Sequence, residues 1–302
     1  MHIGYIGLGK MGRNMVARLV EKGYGVTAYD PDVMARTHVQ ESGAQVVERM
    51  EAVVDALPTD ERRTIWLMVP HTVVDTVLTE LLPALREGDV VIDGGNSYFK
   101  ETVRRAQMLA EHGIEMLDIG TSGGPAGARN GACMMVGGAR DIYSHYKNLI
   151  HDLSAPDAYG YMGQHGAGHF VKMVHNGIEY GMMQAIAEGF AVMKASDFAI
   201  NLTETARVYN HNSVIASRLT QWLEDAYRAH GENLADISGK VAHSGEGLWT
   251  VETAHALGIP VPIIEGSLRF REQSQQAPSY TGQVVSALRG QFGGHPVSKE
   301  ES

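Results

Sequence analysis

Strand-length apolar runs recur at His2 to Gly7, Val26 to Tyr29, Thr64 to Val69, Val90 to Ile92 and Met116 to Ile119, and segments of helical length separate most of them. Regular alternation of this kind leaves few architectures. Consecutive parallel strands need a crossover, and crossover helices cover both faces of the sheet. Thr72 to Leu82 reads as one such crossover: its apolar residues fall at i, i+3, i+4 and i+8 from Val74, and Pro83 stops it. Beyond about residue 160 the strand signal fades. The proline-free segment from His169 to about Ser196 keeps helical spacing through Gly177, Gly181 and Gly189. The expected architecture is an α/β Rossmann-type doubly wound sheet over residues 1–163, the dinucleotide-binding domain. An all-α domain for substrate binding and dimerisation follows over residues 164–302.

A chain of 302 residues is long enough for two such domains, each with its own core. Lys plus Arg number 25 against 35 Asp plus Glu, and the net charge of −10 excludes a broad electrostatic footprint for nucleic acid or anionic lipid. No apolar run approaches the roughly 18 residues of a spanning helix. The opening Met1-His2-Ile3-Gly4-Tyr5-Ile6-Gly7 has no basic segment ahead of a long apolar one, so a cytoplasmic location is expected. The single cysteine, Cys133, allows neither an intrachain disulfide nor a thiolate zinc site and is expected to be a core thiol. Met182, Met183 and Met193, at helical spacing, read as core residues. Gly293 to Ser302 reads as a polar tail.

Gly7-Leu8-Gly9-Lys10-Met11-Gly12 fits G-x-G-x-x-G, directly follows an apolar strand and opens the amphipathic segment Asn14 to Val20. Backbone amides at such a helix start would face a pyrophosphate, so this turn is expected to bind a dinucleotide. Asp30 ends the second strand run, 23 residues after Gly7, where a carboxylate would accept hydrogen bonds from the adenosine ribose hydroxyls. Pro31-Asp32-Val33 adds a second acid and no arginine, which favours NAD over NADP. Capping of the following helix is the competing role for Asp30.

In Lys172-Met173-Val174-His175-Asn176-Gly177-Ile178-Glu179-Tyr180 the polar groups fall at i, i+3, i+4 and i+7, along one helix face. Lys172 and Glu179 would stand about 10 Å apart along the axis, room for a small substrate between a base and an acid. His165 and His169 have the i,i+4 spacing of a metal pair, but no acidic third ligand is near and the intervening glycines suit a turn, so no metal is expected.

With these residues the chain resembles the 6-phosphogluconate dehydrogenases, and specifically their shorter bacterial, often NAD-linked, form. The resemblance rests on the Gly7–Gly12 motif, Ile92-Asp93-Gly94-Gly95-Asn96-Ser97, Ser122-Gly123-Gly124-Pro125-Ala126-Gly127-Ala128, Lys172 through Tyr180, and Arg289-Gly290-Gln291-Phe292-Gly293-Gly294-His295. It implies metal-free oxidative decarboxylation of 6-phosphogluconate, a phosphorylated sugar acid, to ribulose 5-phosphate in the pentose phosphate pathway. Lys172 would be the general base and later acid, and Glu179 the acid that completes the reaction. His175 and Asn176 would fix substrate hydroxyls. Val69 and Asn96 would line the cofactor, and Asn96 with Ser122, Gly123 and Gly124 would hold substrate. Tyr180, Arg271, Arg289 and His295 would take the phosphate, Arg289 and His295 reaching in from a neighbouring subunit.

One departure stands out. Longer family members carry Lys and Thr in a Gly-rich turn before Trp-Thr, where this chain has Ser244 and Glu246 in His243-Ser244-Gly245-Glu246-Gly247-Leu248-Trp249-Thr250. A carboxylate there would repel phosphate unless the turn tilts away. The rival enzyme is a 3-hydroxyisobutyrate-type dehydrogenase, which shares the Gly-rich motif, the Ser-Gly-Gly turn, Lys172 and Asn176 but not His175, Glu179 and Tyr180. A non-catalytic NAD-binding sensor is the alternative from another class.

Overall fold

The computed structural model describes residues 1–293, so His295 and nearly all of the expected polar tail lie outside the described residues. The chain begins β1 (His2–Ile6), α1 (Gly12–Glu21), β2 (Gly25–Tyr29), α2 (Val33–Gln40), β3 (Gln45–Val46), α3 (Glu51–Asp55), β4 (Thr64–Leu67) and α4 (Val74–Leu81). It continues β5 (Val90–Asp93), α5 (Phe99–Ala110), β6 (Glu115–Ser122), α6 (Gly124–Asn130), β7 (Ala132–Gly138), α7 (Arg140–Leu153) and β8 (Ser154–Gly163). Helices follow: α8 (Ala167–Ala195), α9 (Leu202–Tyr209), α10 (Arg218–His230), α11 (Glu246–Ala256), α12 (Pro262–Ser274) and α13 (Tyr280–Gly293).

All eight strands join one sheet in the order β3-β2-β1-β4-β5-β6-β7-β8, parallel throughout except between β6 and β7. The five expected strands are present because each is buried on both faces, which makes its sequence continuously apolar. Ile3, Tyr5, Trp66, Val90, Ile92, Leu117 and Ile119 pack into one core with α1 and α7. Ile6, Ile65, Leu67, Val91 and Met116 point the other way, into a second core with α3, α4 and α5. The pleat sends successive side chains to opposite faces. The same alternation corrects the expectation for Cys133: its neighbours Ala132 and Met134 enter the first core, and the thiol is exposed.

The chain divides into two compact units, Met1–Met173 and Val174–Ser302, and the division falls inside α8. The core of the second unit gathers Met183, Ala187 and Phe190 of α8 with Leu223 and Tyr227 of α10 and Val284, Val285 and Leu288 of α13. Met183 is core as expected and Met193 packs against it, whereas Met182 is 43% exposed. Helical geometry explains the difference, since adjacent residues point about 100° apart. No helix among the described residues is long and apolar enough to cross a membrane.

Candidate active site

β1, β2, β4, β5 and β6 run parallel, so their carboxyl ends share one edge of the sheet, and the strand order reverses there between β1 and β4. Open α/β sheets bind ligands in the crevice at such a reversal. Each residue expected at the cofactor stands on this edge: the Gly7–Gly12 turn after β1, Asp30 after β2, Val69 after β4 and Asn96 after β5. Gly7 has φ +99° and a Cβ there would lie 2.3 Å from the Met68 carbonyl oxygen. A Cβ on Gly12 would lie 2.0 Å from the Gly7 carbonyl oxygen, so α1 starts hard against the strand end. At Gly9 the missing side chain faces open space. That leaves bare backbone at a helix start, a cradle that fits a dinucleotide pyrophosphate. Leu8 and Met11 turn into the core, while Lys10 is exposed.

Asp30 does not cap α2; Asp32 does, accepting from the Met34 amide. Asp30 accepts instead from the Leu8 amide at 2.7 Å through Oδ2 and from the Asp32 amide at 2.9 Å through Oδ1. The carboxylate is therefore tied to the glycine turn itself. Arg36 donates to the Asp30 carbonyl oxygen at 2.6 Å, bringing an arginine to this turn that Pro31-Asp32-Val33 alone did not disclose.

Asn96 is exposed on a turn shaped by the buried carboxylate of Asp93, which accepts from the Gly95 amide at 3.0 Å and from Ser97 Oγ at 2.7 Å. A Cβ at Gly95 would meet the Val69 carbonyl oxygen at 2.9 Å, so glycine lets these two turns approach closely. Ser122 closes β6, and Gly123 and Gly124, both with positive φ, lead into α6. On the same strand Gly120 makes room for Lys172, whose Cβ would lie only 2.3 Å from a Cβ at position 120.

Two of the four groups on the polar stripe of α8 are buried, while His175 and Glu179 are half-buried. Lys172 is 7% and Asn176 9% exposed, whereas apolar Ile178 is 53% exposed. A merely solvated charged face would show the reverse. His175 Nδ1 lies 3.0 Å from Asn176 Oδ1 and 3.8 Å from Glu179 Oε2, so three of the expected residues adjoin one another.

Farther along α8, the Arg271 guanidinium carbon stands 3.4 Å from the centroid of the Tyr180 ring, and the arginine is 1% exposed. Its Nη1 donates to the Ala242 carbonyl oxygen at 3.4 Å. Burial first, and the nearby charge of Arg289, lower its pKa to about 10 against the opposing pull of Tyr180, Glu179 and Glu246. Burial also lowers the pKa of Arg289, against Tyr180, Glu246 and Glu179. Two desolvated arginines, Arg271 stacked on Tyr180 and Arg289 within electrostatic reach of it, concentrate positive charge here. The charge of Arg289 acts on Arg271 and Tyr180 within its own chain. Val284, Val285 and Leu288 bury α13 in the core of the second unit.

The Gly-rich turn does not tilt away. A Cβ at Gly247 would lie 2.5 Å from the Tyr180 ring, and the Ser244 amide donates to Tyr180 Oη at 3.5 Å. Glu246, 5% exposed, thus lies in electrostatic reach of both arginines. Asp118 was not singled out from the sequence. It is fully buried and accepts from the Gly166 amide at 2.8 Å and the His169 amide at 2.9 Å. The available signal was a lone acid inside the apolar run Met116 to Ile119. His169, one member of the histidine pair, spends Nδ1 on Thr102 Oγ1 at 2.8 Å.

Residues 2–167 match the NAD binding domain of 6-phosphogluconate dehydrogenase, and residues 168–282 match the C-terminal domain of 6-phosphogluconate dehydrogenase. The chain is 44% identical over 300 residues to YqeC of Bacillus subtilis, provisionally named a 6-phosphogluconate dehydrogenase, covering 99% of this chain and 100% of that one. It is 41% identical over 303 residues to the NAD(+)-dependent, decarboxylating 6-phosphogluconate dehydrogenase of Haloferax volcanii, covering all of both. Among solved structures, the 6-phosphogluconate dehydrogenase of Plasmodium falciparum, described with NADP+ and with 6-phosphogluconate, superposes with a TM-score of 0.75 at 26% identity, over 95% of this chain and 70% of that one. Matched in both halves and along its length, the chain belongs to the 6-phosphogluconate dehydrogenase family of oxidoreductases.

Proposed function

We propose that this protein oxidatively decarboxylates 6-phospho-D-gluconate to D-ribulose 5-phosphate and carbon dioxide with reduction of NAD. The observation that carries the reading is the buried Arg271 stacked on Tyr180, with the desolvated Arg289 in electrostatic reach, on a helix that also carries a buried Lys172. A polyhydroxylated acid with an anionic far end matches that sequence of groups. Bound NAD supplies the acceptor for the hydride on carbon 3. Lys172, neutral, takes the proton of the carbon-3 hydroxyl, and its ammonium then donates to the new ketone oxygen. The bond to the carboxylate breaks, its electron pair passes into the enediol, and carbon dioxide leaves. Glu179 protonates the carbon that becomes carbon 1 of the product, while Lys172, neutral again, takes back the enediol hydroxyl proton and the product carbonyl forms. Asn176 and His175 orient the hydroxyls, Asn96 and the Ser122-Gly123-Gly124 turn hold the acid end, and Tyr180, Arg271 and Arg289 hold the phosphate. Glu246 leaves the pocket with a smaller positive excess than two arginines alone would give.

The test follows NADH and trapped carbon dioxide with 6-phosphogluconate, gluconate and 3-hydroxyisobutyrate. Equal yields from 6-phosphogluconate are expected. NADH without carbon dioxide from 3-hydroxyisobutyrate, with 6-phosphogluconate inert, overturns the reading.

NAD rather than NADP is proposed from the carboxylate of Asp30 at the glycine turn, where a 2'-phosphate would meet like charge. Asp30→Arg is expected to move the NADP-to-NAD ratio of kcat/KM toward NADP by roughly 10-fold or more. An unchanged ratio in parallel assays counts against a ribose role. We also infer self-association, supported by the exposed apolar side chains Ile178, Met182 and Val192 along α8.

A further inference from the structure

We propose that Asp118 is the positioning residue for Lys172: a buried carboxylate on β6 that clamps the first turn of α8 and so sets where the lysine stands. The inference rests on the catalytic role read for Lys172 above. Asp118, Gly120 and Ser122 alternate along one face of β6. Each has a distinct task in the same few ångströms. Asp118 accepts from the Gly166 amide at 2.8 Å and the His169 amide at 2.9 Å, two donors at the amino end of α8. Those amides have no partner within the helix, and an anion there is favoured by the helix dipole. Gly120 lets the stem of Lys172 lie directly on the strand, its own absent Cβ being 2.3 Å from Lys172 Cβ and 2.8 Å from the Gly168 carbonyl oxygen.

Glycines also remove the slack on the other side. A Cβ at Gly137 would stand 2.6 and 2.7 Å from the two Asp118 carboxylate oxygens and 2.7 Å from the Gly168 amide. A Cβ at Gly168 would stand 2.4 Å from the Met135 carbonyl oxygen and 2.5 Å from that of Asp118. The first turn of α8 is therefore backbone packed on backbone, and Asp118 supplies its polar anchor. A fully buried carboxylate is costly to keep, and greasy packing alone would hold a helix at less cost. What two directional bonds add is a fixed axial and rotational setting, which Lys172, one turn beyond His169, inherits. Displacements near 1 Å at a reacting group cost on the order of 100-fold in rate.

Asp118→Asn keeps the shape but turns one acceptor into a donor that faces an amide. We expect kcat with 6-phosphogluconate to fall 10- to 100-fold, with KM and the Kd for NADH within twofold. The acylation rate of Lys172 by acetic anhydride, read by mass spectrometry, is expected to rise at least fivefold. Thr102→Val, which removes the partner of His169 Nδ1 in the same region, is expected to leave both readouts near the parent. An Asp118→Asn enzyme with parental kcat and parental Lys172 labelling, merely less stable, overturns the proposal. Should that variant not fold, Gly137→Ala presses a methyl onto the same carboxylate, and full rate with unchanged labelling in it is equally decisive. Labelling needs no substrate, so inactivity of the parent on 6-phosphogluconate would sink the proposed reaction without touching this inference. An active Lys172→Met would remove the catalytic role and leave the positioning readout standing.

Discussion

Lys172→Met is expected to bind NADH with a Kd within about twofold of the parent while kcat with 6-phosphogluconate falls by roughly 1,000-fold or more, toward the upper end of what a positioned proton-transfer group contributes. Methionine keeps the unbranched stem that packs on Gly120 and deletes only the nitrogen. The nucleotide turn, tied together by Gly7, Gly12 and Asp30, makes no use of position 172, which is why cofactor affinity should survive. NADH fluorescence titration and steady-state turnover decide it together. Turnover above a tenth of the parent's would remove Lys172 from the role of base, and a lost NADH site would show that the substitution had damaged the first unit.

Arg271→Met is expected to lower kcat/KM for 6-phosphogluconate by 100- to 1,000-fold, chiefly through KM, while changing the weaker reaction with gluconate by less than threefold. A phosphate desolvated against a buried guanidinium interacts far more strongly than in water. The stability of the variant should move in a different way from its activity. Burial lowers the guanidinium pKa to about 10, still well above neutrality, so the side chain remains charged in the folded protein at a cost of roughly 3 kcal/mol. Replacing it with an apolar side chain of similar length relieves that cost while losing the contact with Tyr180, so the unfolding temperature is expected to stay within about 3 °C. Equal losses for both acids would show that Arg271 holds the fold of the pocket rather than phosphate.

These two residues differ in what marks them in the sequence. Lys172 was legible from spacing, because His175, Asn176, Glu179 and Tyr180 recur with it at helical intervals and one helix carries them all. Arg271 was legible only through the family resemblance. Nothing in the local pattern of α12 distinguishes it from Arg269, which is exposed and pairs with Glu265 one turn away. Burial against Tyr180 makes the difference, and burial is a property of the packed second unit.

The same division runs through the fold. β1, β2, β4, β5 and β6 were readable as apolar runs because both faces of each strand are covered. β7 was not, since Gly137 and Gly138 and its exposed Cys133 dilute the signal, and β8, at the sheet edge, is mostly half-exposed. β3 is two residues long and carries no period to detect.

Local periodicity, turn chemistry and the glycine motif were sufficient to determine a doubly wound sheet with a dinucleotide turn after its first strand, followed by helices bearing a lysine–glutamate stripe. Those features depend on residues within a few positions of each other, where chain geometry alone dictates which side chains share a face. Tertiary structure alone decided that Asp118 clamps amides 48 and 51 residues away and that Glu246 neighbours two arginines. Contacts of that reach are set by which cores close on which elements, and the cost of burying a carboxylate or a guanidinium is defined only once they have closed.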